Sequence, residues 1–153
     1  MLLVCCLQGE AEMSMPELPV IAEGETSRGH WYLRAGGSSA DYYTMLKTVH
    51  PDGRWDKGGM GGPALYAGSL FNAYTGRADD GPLRVIVRTD PRVRRLLFHS
   101  AKDEWYDLRP VGDDLAVGVT FFAALLPWTT AVVSMQGFDA DGQELWSKLP
   151  PCL

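Results

Sequence analysis

The chain has 153 residues, 46% hydrophobic and 22% charged, a balance that excludes wholesale disorder and requires neither a metal nor a disulfide for folding. Its net charge of −5 is a property of one end: residues 1–27 carry five glutamates and no base, and the remainder sets 14 acids against 14 bases. A neutral body lacks the basic surplus of a general nucleic-acid binder, so no nucleic-acid partner is expected.

Residues 1–27 read as a disordered acidic arm. Met13 and Met15 are alternative starts that would make residues 1–12 a spurious extension. Cys5, Cys6 and Cys152 sit in the terminal segments, form no framework, and are expected as reduced thiols of a cytoplasmic protein. Residues 2–7 are apolar but have no base before them and are too short for a secretory leader. A single domain is expected over residues 28–149.

Residues 30–35 alternate, with Trp31, Leu33 and Ala35 on one face, and stop at Gly36-Gly37. Residues 41–49 are rich in Tyr, Thr and Val and end at Pro51-Asp52-Gly53, a turn in which proline presets φ and glycine accepts a positive one. Residues 58–63, Gly-Gly-Met-Gly-Gly-Pro, read as the most flexible stretch of the body, and residues 65–74 as a strand. Leu83, Val85 and Val87 alternate with Arg84, Ile86 and Arg88, which predicts a strand with one packed and one wet face. Strands follow over residues 94–99 and 105–109.

Residues 115–138 run for 24 positions without a charge, long enough for a membrane span. However, Pro127, Thr129, Thr130, Ser134 and Gln136 interrupt the run, and its β-branched and aromatic content suits a pleated surface. It is expected to form two paired strands joined at residues 127–130, with no membrane partner. A last strand over residues 143–147 brings the total to eight or nine with no helix, the cadence of an all-β antiparallel sandwich.

Residues 83–145, through LRVIVRT, a glycine-preceded FFAALLP and FDADGQEL, resemble a module of uncharacterised actinobacterial proteins, some of them anti-sigma-factor-like. That resemblance implies an immunoglobulin-like β-sandwich in which FFAALLP is a core strand and the aspartates before Gly142 form a closing hairpin. It brings no catalytic or cofactor residues.

Asp139, Asp141, Gly142 and Glu144 resemble the start of a calcium loop but lack its further acids, so a hairpin turn is expected. Residues 58–63 lack the Gly-Lys-Ser/Thr ending of a phosphate loop. With Trp55, Lys57 and Met60 beside them they have the composition of a contact surface. Arg84, Arg88, Arg92, Arg94, Arg95 and Arg109 form cross-strand pairs or a basic patch for an acidic partner, with the acidic arm itself a candidate. His30, His50 and His99 stand at no metal-ligand spacing, and His99 could meet Asp103 or Asp107 only across a hairpin. Five tryptophans suit packing better than a carbohydrate platform, with Trp55 and Trp128 the exceptions beside loops.

These readings imply a non-enzymatic interaction module with a protein partner, contacted through Trp55, Lys57, Met60, Arg84 and Arg88, with no cofactor, metal or catalytic residue. The alternative is a small ligand-binding or enzymatic β-barrel whose cavity, lined by His99 or Tyr42, gathers distant residues.

Overall fold

The computed structural model describes residues 18–77 and 81–148. Cys5, Cys6, Cys152 and the arm before Leu18 lie outside the described residues. Among the described residues, twelve strands form three four-stranded antiparallel sheets. An N-terminal sheet has the order β1 (Val20–Thr26), β2 (Gly29–Gly37), β3 (Tyr42–Val49), β4 (Trp55–Met60). A central sheet runs β5 (Phe71–Gly76), β6 (Leu83–Thr89), β10 (Val119–Leu126), β9 (Gly112–Asp114). A C-terminal sheet runs β12 (Glu144–Lys148), β11 (Val132–Phe138), β7 (Arg95–Ser100), β8 (Trp105–Leu108). The described residues include no helix, hence none long and apolar enough to cross a membrane.

The central sheet is covered on both faces. Leu33, Ala35, Tyr42 and Leu46 of the N-terminal sheet pack on Ile86, Phe121, Ala123 and Leu125. On the other side Val85, Val87, Phe122 and Leu126 meet Leu96, Phe98, Val132, Met135 and Trp146 of the C-terminal sheet. The run Phe121-Phe122-Ala123-Ala124-Leu125-Leu126 is apolar at every position, which is the pattern of a strand buried on both sides rather than one facing water. The edges of the first two layers also correspond, since β4 approaches β5 and β1 approaches β9.

The all-β class and antiparallel pairing agree with the sequence, but strand number and layering differ. Nine strands were legible; β1, β4 and β9 were not. Part of the expected acidic arm is β1, paired with β2 from Val20↔Arg34 to Thr26↔Gly29 with one shift of register between Val20 and Ala22. Its exposed Glu23 and Glu25 alternate with half-buried Gly24 and Thr26, so the acids are the solvent side of a strand. The supposed flexible stretch after Trp55 begins as β4, paired with β3 from Val49↔Trp55 to Thr44↔Met60. Residues 115–138 do form two strands around a turn at 127–130, where the Thr130 N–H donates to the Pro127 carbonyl at 2.9 Å. They do not pair: β10 bonds to β6 and β9, β11 to β7 and β12. Because β10 is apolar on both faces, the chain arches out of the central sheet to supply part of the covering layer. Among the described residues no sheet closes into a barrel.

One close approach limits substitution. Gly137 lies opposite Trp146 across β11 and β12, and a Cβ on Gly137 would stand 2.5 Å from the indole ring. Gly137→Ala should destabilise the protein by about 1–3 kcal/mol through this overlap. Urea denaturation of the two proteins checks it, and equal midpoints would contradict the packing.

Candidate functional site: the outer face of the N-terminal sheet

The five residues expected to meet a partner divide three ways. Arg84 and Arg88 belong to β6 and point, with Ile86, at the N-terminal sheet, where they are 5% and 0% exposed. They are therefore no part of a surface. Met60 also faces inward and packs against the core between these layers. Trp55 and Lys57 alone project outward, because Asp56 between them is opposite the buried Thr48 and side chains alternate along a strand.

The buried arginines find interior acceptors for their Nη groups, while the Nε of each is buried without a hydrogen-bond partner among the described residues. Asp56 accepts from Arg84 Nη1, and its other oxygen is 2.7 Å from His50 Nε2, so a carboxylate of β4 ties the β3–β4 turn to the central sheet. Arg88 has no carboxylate partner among the described residues. Its Nη1 donates to the Tyr42 carbonyl and Thr44 Oγ1, both at 3.2 Å, and its Nη2 to the carbonyls of Gly61 at 3.2 Å and Pro63 at 3.0 Å. The guanidinium also lies 5.4 Å from the centre of the Tyr42 ring, whose hydroxyl donates to Asp114 Oδ2 at 2.6 Å. Burial draws Arg88 down to about 10, which leaves it cationic at neutral pH. Burial, then the bond to Asp114, raise the Tyr42 phenol well above the ordinary tyrosine range. The glycine-rich stretch is thus an acceptor seat for Arg88, and Gly62, at φ +81, turns the chain so that carbonyls on either side reach it.

The remaining arginines do not make a free basic patch. Arg92 pairs with Asp90, Arg94 with Asp113, and Arg95 and Arg109 with Asp107. The Asp90 and Asp107 carboxyls titrate below the usual carboxylate range because Arg92 and Arg95 donate to them. His99 does meet Asp103, at 2.6 Å, and stacks on Trp105 with ring centres 4.2 Å apart. The pair lies on the open outer face of the C-terminal sheet, with the Asp103 side chain 87% exposed. Asp139 Oδ1 accepts from the Asp141 and Gln143 N–H groups at 2.9 Å, so these residues build the β11–β12 turn. A concavity of about 520 Å³ beside that turn, lined by Arg92, Arg94, Asp139 and Gln143 among others, is widely open to solvent.

What the structure assembles instead is a grid on the outer face of the N-terminal sheet. One cross-strand row reads Glu25, His30, Val49, Trp55, and the next Glu23, Tyr32, Lys47, Lys57. Trp55 is 58% exposed, and Lys47 Nζ lies over its ring, 4.6 Å from the centroid. Lys47 and Lys57 are directly opposite, an arrangement that disfavours the sheet, and neither has a carboxylate at ion-pair distance among the described residues. Trp55 and Lys57 were found in the sequence by composition; Tyr32, Lys47, Glu23 and Glu25 were not. The period-2 alternation of residues 42–49 did carry the signal that Lys47 shares a face with Tyr43 and Met45.

No protein-family model matches this chain, and neither does any curated protein or solved structure.

Arg88→Met keeps much of the volume and removes the donors, leaving the Tyr42 carbonyl and Thr44 Oγ1 without the guanidinium. It should cost at least about 2 kcal/mol, whereas Arg95→Met on the exposed sheet face should cost under about 1 kcal/mol. Parallel denaturant titrations check this, and comparable losses for both variants would refute the interior role of Arg88.

Proposed function

We propose that this protein is a non-enzymatic interaction module whose contact surface for a protein partner is the outer face of β3 and β4, centred on Trp55 and Lys57. The observation that carries this reading is an exposed indole under one lysine and beside another, with the two cations held opposite each other at a cost to the sheet. Tryptophan is the residue type most enriched where binding energy concentrates, since it offers a large area for little loss of conformational freedom. The two lysines favour a partner that brings carboxylates. Arg84, Arg88 and Met60 then serve as support: they fasten β4 and the segment after it to the central sheet, so the surface is held on a rigid strand rather than a loop.

We assign the immunoglobulin-like module of the sequence resemblance to the sandwich of the central and C-terminal sheets. Residues 83–145 supply all of β6–β11 and the start of β12, so that sandwich falls within them but for β5 and the end of β12. In this assignment the N-terminal sheet is an added layer, and it is the layer that meets the partner.

The test is quantitative capture of a partner from extract of the source cell by immobilised wild type, Trp55→Ala, Lys57→Glu and the control Trp128→Ala. Trp128 is equally exposed but lies on the β10–β11 connection. Recovery should fall at least about tenfold for the first two variants, hold for the control, and follow no loss of stability. Equal recovery by all four would remove this face from the proposal.

A further inference from the structure

We propose that the outer face of the N-terminal sheet is self-complementary and joins two copies of this chain in a twofold dimer. The inference rests on the preceding reading of that face and names its partner. Charge in the two rows is separated across the strand order, and Arg34, on β2 beyond them, donates to the Leu18 carbonyl. Glu23 and Glu25 stand on the edge strand β1, Lys57 on the opposite edge strand β4 and Lys47 on its neighbour β3, with Tyr32, His30, Val49 and Trp55 completing the two rows.

Within one copy these charges do not neutralise one another. Strands are spaced at about 4.8 Å, so Glu23 and Lys57 are roughly 14 Å apart across their row. That exceeds the screening length of about 8 Å at physiological salt. A partner copy removes the separation. A twofold axis lying in the contact plane, parallel to the strands and between β2 and β3, reverses strand order while keeping each row level. Glu23 then faces the partner copy's Lys57, Tyr32 faces the partner copy's Lys47, and Glu25 approaches the partner copy's Trp55 and the lysine stacked on it. Every such contact occurs twice, as a twofold interface requires. An axis perpendicular to the strands would set glutamate on glutamate and lysine on lysine, so the charge pattern selects one orientation. The twist of aligned sheets, about 30°, displaces the ends of the rows more than their centres.

Four strands and about six residues of each give a face of roughly 20 by 20 Å. This is smaller than the roughly 800 Å² per partner of a standard stable interface, which implies an association that depends on concentration and weakens with salt.

Sedimentation equilibrium of the full chain, from about 10 µM to about 1 mM at low and high salt, tests the proposal. The mass should rise toward that of two chains with concentration and less so in high salt. Glu23→Lys and Lys57→Glu alone should each weaken the dimer at least about tenfold, and the double variant carrying both should return to within about threefold of wild type, because the swap restores the facing pair. A single mass of one chain throughout, or a double variant no better than the single ones, overturns the dimer. If the chain stays monomeric while Trp55→Ala still abolishes capture of a different protein, the contact face stands and the partner named here is wrong; loss of both results removes the face itself.

Discussion

A guanidinium withdrawn from water must be given oxygen acceptors, and the way Arg88 obtains them organises the joint between two layers of this protein. Its four bonds reach the strand that faces it, at Tyr42 and Thr44, and the segment after β4, at Gly61 and Pro63. Those acceptors are neutral, so the arrangement depends on many weak partners held in place rather than on one counter-ion. Isolated burial of a charge costs several kcal/mol even after relaxation, and loss of any acceptor leaves the others to carry it. Arg84 repeats the logic by a different route, with Asp56 as a carboxylate partner and His50 behind it. Together the two arginines fasten the segment after β4 and β4 itself, which would otherwise be a short edge strand with two of its six pairs at glycine.

From this joint follows the separation of roles among the layers. The central sheet uses both faces for packing, through Phe121 and Phe122 on opposite sides. The two outer sheets each keep one face for solvent. On the C-terminal sheet that face carries closed ion pairs and a stacked His99–Trp105 couple. On the N-terminal sheet it carries acids at one edge, lysines toward the other, and an exposed indole, and no ion pair joins those acids to those lysines among the described residues.

The fold class was legible because the strands that make the core have strong patterns. Residues 30–35, 42–49 and 119–126 show either clean alternation or continuous apolarity, and turns such as Pro51-Asp52-Gly53 punctuate them. What misled was polarity without context. Glu23 and Glu25 look like a solvated tail until β2 is placed beside them, and Arg84 and Arg88 look like a wet face until a further sheet covers it. Neither error could be removed locally: the acceptors that admit Arg88 to the interior are main-chain carbonyls, which one sequence does not distinguish from any others. The pairing of residues 115–138 was misjudged for a related reason, since two strands joined by a tight turn pair most often, and only the apolarity of both faces of β10 argues for an arch. Trp55 and Lys57 were legible by residue type, while their neighbours Lys47, Tyr32 and Glu23 depend on register between strands.

Arg84 and Arg88, two arginines of one strand, are interior groups rather than surface charges. Nuclear magnetic resonance of the arginine side chains, assigned with single Arg→Lys variants, tests it most directly. Arg84 and Arg88 should give guanidinium N–H signals protected from exchange with water while those of the exposed Arg54 are lost to it; signals of Arg88 exchanging as fast as those of Arg54 would contradict the account.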